Sequence, residues 1–262
     1  MEAEKPASGT GRVQSLDRAV ELLHAVADTA PGGEPVATLA QRCGINRATA
    51  WRLLATLEHH GLVERDRASG RYLIGYTVER LAATAGVDGL VRRARPVVER
   101  LAELTGETAN LALARHGEIT YVDEVVPRAV LSARWLGRAA PPHATSTGKA
   151  LLAWLPEDRW ADLLAASPYR YTDTTITDRA ALRAELAAVR EQGYAVSVGE
   201  MEPSLFGVSA AVRDPRGNPV AILSIWGPRD RVPEDRLPGL GVTAAEGAAE
   251  ITAALSPASA AR

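Results

Sequence analysis

Between Pro35 and Leu62 the chain reads PVATLAQRCGINRATAWRLLATLEHHGL, two short apolar-periodic segments divided by a glycine, and few folds accept that pattern. Leu39, Ala40 and Cys43 recur at helical spacing, Gly44 breaks the helix, and Asn46 is placed to cap the next one. In the second segment Ala50, Leu53, Leu54 and Leu57 share a side, which turns Ala48, Arg52 and Ala55 outward and sets Thr49 and Trp51 on the shoulders. A small, cationic outer face suits a helix that enters a DNA major groove, where Arg can hold guanine bidentately or pair with phosphate. The same segment also fits a plain αα-hairpin inside a helical domain.

The flanking sequence favours DNA. Leu62 to Arg65 and Arg71 to Ile74 are strand-like runs around the turn Asp66 to Gly70, a β-hairpin that would act as a wing. Arg65, Arg67 and Arg71 on it are spaced to reach phosphates, which position a protein without reading sequence. Upstream, Val13 to Ala27 predicts an amphipathic helix with Ser15 as its N-cap and Val20, Leu23 and Ala27 facing inward. Three helices and a wing make a winged helix-turn-helix, with Asn46, Arg47, Ala48, Thr49, Trp51 and Arg52 on its reading side.

At 262 residues and a net charge of −2 the chain can bury two modest cores, and its overall charge does not announce nucleic acid. Between Arg12 and Arg80 nine arginines meet eight acidic residues, so affinity for DNA must come from placed arginines and from doubling the domain in an oligomer. Cys43 is the only cysteine, which excludes an intrachain disulfide and fits a reducing cytoplasm. No apolar run approaches the length of a membrane span, and MEAEKPASGTG, like SPASAAR after Leu255, reads as a disordered end. His24, His59, His60 and His116 are scattered, and no metal or cofactor is expected.

The second half alternates strands and helices. A helical stretch from Tyr76 to about Arg93, interrupted by Gly86 and Gly89, is expected to link two domains, and Pro96 is expected at the first turn of a helix reaching Leu104. Strands are expected at Thr108 to Ala114, Ile119 to Val126 and near Ala129 to Trp135, then helices from Ser146 or Thr147 through Leu155 and from Pro156 to Ala166. Thr177 is expected to cap a helix ending at Gly193. Strands at Tyr194 to Val198, Gly207 to Arg213 and Pro219 to Trp226 and a closing helix from Pro233 to Leu255 complete an α+β layer fold, an antiparallel sheet flanked by helices.

Ligand candidates follow from alternation. Ser224 and Trp226 emerge on one face of the last strand, and Ser132 and Arg134 share a face of the strand near residue 130. His143-Ala144-Thr145-Ser146-Thr147-Gly148-Lys149 leads into a helix whose start offers free N–H groups to an anion, with His143 on the rim. Plain alternatives stand beside these: Ser146 and Thr147 as caps, Trp226 as core, and Arg134 paired with Asp123 or Glu124.

VQSLDRA, GINRATAWRLLATLEHHGLVER, GRYLIG, HATSTGKALLAWL and EPSLFGVSAAVRDPRGNPVAILSIWGP, in this order, resemble the IclR-type transcriptional regulators from about Arg12 to Leu255. The resemblance implies a winged helix domain (12–74), a linker helix (75–92) and a GAF-like effector-binding domain (93–259), in a protein that binds a double-stranded operator as a homodimer or homotetramer. It also implies effector contacts at Ser146, Thr147, Ser197, Leu205, Gly207, Ser224 and Trp226. The chain departs from the pattern of the family's short-acid binders, which tend to have Gly-Ala where it has Ser146-Thr147. Trp226 stands where some relatives have a small residue, and either shrinks the pocket or supplies a stacking face. Lys149 matches the family's GKA element, with a structural role at the helix start. The resulting expectation is a cytoplasmic regulator responsive to a small organic, possibly aromatic, carboxylate. The alternative is an enzyme with a vestigial DNA-binding domain, in which Lys149 and His143 act on a carbonyl or ester.

Overall fold

The computed structural model describes residues 13–30, 32–85, 87–115, 118–127, 136–137, 139–165 and 168–255. They fall into two compact units, one through Gly86 and one from Val87 onward.

The first unit opens with α1 (Gln14–Ala27), β1 (Glu34–Pro35), α2 (Val36–Arg42) and α3 (Arg47–His59). It continues with β2 (Val63–Arg65), β3 (Arg71–Ile74) and α4 (Tyr76–Ala85). The three strands form an antiparallel sheet in the order β1-β3-β2, so the expected hairpin gains a third strand from just before α2. Leu22, Leu39, Leu54 and Tyr72, each at most 2 % exposed, tie the helices to the sheet in one core. Gly44 makes the sharp turn between α2 and α3 at φ 62°, a left-handed conformation that a Cβ penalises.

Two expectations for α1 are corrected. Its N-cap is Val13, with no side-chain hydrogen bond, and not Ser15. The buried side carries Leu22, Ala25 and Val26, whereas Val20 and Ala27 are exposed and Leu23 is half-buried. The helix carries two overlapping apolar stripes, and packing against α3 selects the one through Leu22 and Val26.

The second unit contains α5 (Asp88–Thr105), β4 (Thr108–Arg115), β5 (Glu118–Val125), α6 (Ser146–Leu152), α7 (Arg179–Gln192), β6 (Ala195–Val198), β7 (Leu205–Arg213), β8 (Pro219–Pro228) and α8 (Leu237–Leu255). Its sheet is antiparallel throughout, in the order β5-β4-β8-β7-β6. α5 and α8 bury Val97, Leu101, Leu240 and Ile251 against Leu111, Leu223 and Ile225 on one face. α6 and α7 bury Leu152, Leu182 and Leu186 against Ala112, Ile119 and Ile222 on the other.

Several boundaries differ from those the sequence suggests. The helical stretch from Tyr76 to Arg93 is two helices, α4 and the start of α5. Pro96 lies inside α5, although it supplies no N–H there, because Ala94, Val97, Val98 and Leu101 are buried on both sides of it. Asp178, not Thr177, caps α7, accepting from the Ala181 N–H at 2.8 Å. α6 ends at Leu152, the segment after Pro156 is a 3-10 turn (Glu157–Asp162), and another (Glu234–Arg236) precedes α8. The strand expected near Ala129 to Trp135, with Ser132 and Arg134, lies outside the described residues.

Candidate DNA-reading helix and effector cleft

In the first unit the start of α3 is fixed by Asn46, whose Oδ1 accepts from the Thr49 N–H at 2.8 Å. Arg47, Ala48, Trp51 and Arg52 are exposed, and Thr49 and Ala55 are half-exposed. Trp51 is 55 % exposed, a large apolar surface left open between two arginines. On the wing the Asp66 carboxylate is absorbed by its own turn, accepting from the Ala68 and Ser69 N–H groups at 3.0 and 3.1 Å. The Ser69 hydroxyl bond, followed by those amide bonds, holds its pKa below the usual carboxylate range. That carboxylate is therefore occupied beside Arg65 and Arg67. Arg65 lies 5.9 Å from the centre of the Tyr72 ring, and Arg67 is exposed. Arg71 is committed in part to the fold, since its Nη1 donates to Gly33 O at 3.0 Å and braces the turn before β1.

In the second unit a cleft of about 470 Å³, counting its open mouth, lies between the start of α6 and the sheet. Ser146, Thr147, Ser197, Leu205, Gly207, Ser224 and Trp226 all line it, as do Tyr121, Thr145, Met201 and Phe206. Gly207 is required where β7 passes Trp226, because a Cβ there would meet Trp226 Cβ at 2.7 Å. Glu202 stands at the exposed rim, its Oε1 accepting from Ser204 Oγ at 3.2 Å.

Five hydroxyls are linked along the cleft's polar wall: Tyr121, Ser146, Thr147 and Ser224 line the cleft, and Ser209 lies buried behind them. Thr147 Oγ1 is 3.0 Å from Tyr121 Oη and 2.9 Å from Ser224 Oγ. Ser209 Oγ donates to Ser224 Oγ at 2.8 Å, so its one proton is spent, and Ser146 Oγ, also 2.8 Å away, must donate to it. Ser146 therefore offers the cleft its backbone N–H and not its O–H. Burial pushes the Tyr121 phenol up to about 12, against the lowering effect of the Thr147 bond. Thr145 is the true cap of α6, accepting from the Gly148 N–H at 3.0 Å while donating to Pro141 O at 2.8 Å. Ser146 and Thr147 are thus released from capping.

Two candidates have other duties. His143 is not on the rim: the lining of the cleft begins at Ala144, and the buried His143 ring is engaged elsewhere, its Nε2 donating to Tyr169 O at 2.7 Å. Lys149, 1 % exposed, donates to Glu185 Oε1 at 2.8 Å and to Glu200 Oε1 at 2.6 Å, which clamps α6 to α7 and to the segment after β6. Burial raises the Glu200 pKa, and Lys149 opposes that shift. Neither side chain is placed to act on a carbonyl in the cleft.

Tyr121 and Ser209 were not among the sequence candidates. Ser209 is legible by counting two residues on from Gly207 along a strand, whereas Tyr121 reaches the α6 start only through the tertiary fold. Among the described residues no three His, Cys, Asp or Glu side chains gather as a metal site, and no helix is long and apolar enough to cross a membrane.

The family description "IclR helix-turn-helix domain" matches residues 15–67, and "Bacterial transcriptional regulator IclR C-terminal" matches residues 82–253. The chain belongs to the IclR family of transcriptional regulators. It is 33 % identical over 254 residues to the HTH-type transcriptional regulator BhcR of Paracoccus denitrificans, covering 96 % of this chain and 90 % of that one. It is 31 % identical over 253 residues to the transcriptional repressor IclR of Escherichia coli, covering 95 % and 92 %. Among solved structures it is similar to an IclR homologue from Microbacterium hydrocarbonoxydans complexed with 4-hydroxybenzoate, with a TM-score of 0.58, 26 % identity, and coverage of 92 % of this chain and 99 % of that one. The IclR family assignment makes the first unit a DNA-binding domain and the second an effector-binding domain. It also sets aside the enzyme alternative, since the IclR relatives are regulators.

Proposed function

We propose that the protein is a cytoplasmic regulator whose affinity for its operator changes when a small monocarboxylate, aromatic or otherwise flat, occupies the cleft of the second unit. The observation that carries this reading is the pairing of Trp226 with the hydroxyl-lined start of α6 in one cleft. Trp226 supplies an aromatic face for offset stacking. The Ser146 and Thr147 amides, which have no carbonyl one turn back to bond, supply donors for a carboxylate. Glu202 opposes an anion only weakly, because it is exposed and its charge is screened by water. A homologue crystallised with 4-hydroxybenzoate supports an aromatic acid.

In the first unit Arg47, Arg52 and the flanking Ala48, Thr49 and Trp51 are proposed to meet base edges, while Arg65, Arg67 and Arg71 on the wing meet phosphates. The low net charge of the domain favours a homodimer or homotetramer that holds two reading helices at a high effective concentration. Exposed Tyr76 and Leu81 on α4 offer apolar surface to the partner. Sedimentation at micromolar concentration tests the assembly, and a monomer that still footprints the operator contradicts it.

Isothermal calorimetry with benzoate on the full chain tests the effector. Binding that shifts Trp emission in the wild type and weakens in Trp226→Ala by about 0.5–1.5 kcal/mol supports stacking. Tighter binding of glyoxylate or pyruvate than of benzoate contradicts it.

A further inference from the structure

The face of the sheet that floors the cleft carries a polar group with no structural task. Asn110 is 0 % exposed, and neither its Nδ2 nor its Oδ1 has a hydrogen-bond partner. Two residues earlier on β4, and therefore on the same face, Thr108 Oγ1 is buried and equally unpaired. A buried amide left without partners opposes folding, whereas Leu would fill nearly the same volume without that cost. Its presence therefore calls for a reason outside the apo fold.

The register supplies one. Asn110 stands opposite Ser224 and Thr108 opposite Trp226, and directly opposed residues share a face. β4 lies between β8, which gives the cleft Ser224 and Trp226, and β5, which gives it Tyr121. Asn110 thus has the cleft-lining Ser224 beside it on β8, and on β5 the cleft-lining Tyr121 stands opposite Ala112, two residues further along the same face. The β4–β5 register shifts between Leu111 and Ala112, immediately after Asn110, and such bulges re-aim side chains beside binding sites.

We propose that Asn110 and Thr108 form an inner polar subsite of the effector cleft, which takes a neutral group able both to donate and to accept a hydrogen bond at the end of the effector remote from its carboxylate. The inference rests on the reading of the cleft as a monocarboxylate site. A hydroxyl or a carboxamide satisfies the Asn110 amide and the Thr108 hydroxyl together. A second carboxylate does not, because it accepts only and would leave Asn110 Oδ1 without a donor, and because it would lie near Glu124, which stands opposite Asn110 on β5. The subsite therefore selects for hydroxylated or carbamoylated monocarboxylates and against unsubstituted and dicarboxylic acids. The selection follows from the site's own unpaired atoms, since a ligand lacking the matching group leaves them unpaired in the complex.

Calorimetry on the full-length protein with benzoate, 3- and 4-hydroxybenzoate, 4-carbamoylbenzoate and terephthalate tests this. The expected result is that at least one hydroxylated or carbamoylated acid binds about tenfold or more tightly than benzoate, and that terephthalate does not. Asn110→Leu is expected to abolish that preference, so that the hydroxylated and carbamoylated acids bind this variant no more tightly than benzoate does, and Thr108→Val to reduce it severalfold. Equal wild-type affinity for benzoate and every substituted acid overturns the inference, as does a preference that survives in a folded Asn110→Leu protein. Should that variant fail to fold, an unchanged preference in Thr108→Val overturns it. If benzoate binds and the preference is absent, only the subsite falls; if no carboxylate binds, the reading of the cleft falls and takes the subsite with it.

Discussion

Lys149 Nζ donates to Glu200 Oε1 at 2.6 Å with both side chains at most 8 % exposed, so the GKA element of α6 is an internal ionic clamp and not a reactive amine. It joins the helix that begins the cleft wall to the segment that supplies Met201 and Glu202 to the same cleft. Breaking a buried pair from one side strands the other charge. Lys149→Met is therefore expected to cost about 3–5 kcal/mol in urea unfolding, and adding Glu200→Gln to recover part of that loss. A cost under about 1 kcal/mol, or strictly additive effects, contradicts the clamp.

The same pair fixes a pH dependence. Burial raises the Glu200 pKa above its unfolded value, so the fold favours the protonated carboxyl, and the stability this confers is lost as pH rises through the folded pKa. The stability of wild type relative to Glu200→Gln should fall as pH rises from about 4, an ordinary Glu value, toward neutrality. Urea midpoints measured across that range check the sign, and a constant or rising difference refutes it.

Tyr121 makes a separate alkaline prediction. Its pKa of about 12 lies above that of an ordinary tyrosine, so its contribution is intact below the unfolded value and is lost as pH rises through about 12. Burial also raises the Tyr72 phenol, so an ultraviolet titration of tyrosinate should show a late-ionising component that loses one group, the one ionising at about 12, in Tyr121→Phe. That variant should lose about 0.5–1.5 kcal/mol of stability with the hydrogen bond to Thr147.

On the DNA side, Arg52→Ala is expected to cost about 1–3 kcal/mol in operator binding, the range of a bidentate base contact. Arg67→Ala should instead weaken all sequences alike and reduce the salt slope by about 1. Arg71→Ala should also lower the stability of the first unit, because its Nη1 holds Gly33 O. Equal operator affinity for wild type and an Arg47/Arg52 double alanine variant contradicts the assignment of the reading face.

Local signals were legible in the sequence and long-range ones were not. Asn46 announced itself as the cap of α3, because a cap and its helix lie within four residues of each other. The buried set Ala50, Leu54 and Leu57 followed from a single clear stripe. α1 misled because two stripes overlap and only packing chooses between them, and Thr177 misled because Asp178 is an equally good cap one residue on. Pro96 shows a local rule overridden by tertiary burial. In the cleft, residues from β6, β7, β8 and α6 were found through motifs, but the engagement of His143 elsewhere depends on Tyr169, and the reach of Tyr121 depends on Thr147, each 26 residues distant.

Control of DNA binding by occupancy of the cleft is measurable by fluorescence anisotropy of operator DNA with the full-length protein, titrated with an aromatic monocarboxylate that calorimetry shows to be bound. Operator Kd is expected to change about 5- to 150-fold at saturation, the usual span of allosteric coupling, with the acid recovered chemically unchanged. An operator affinity that stays the same while the acid fills the cleft would contradict that control.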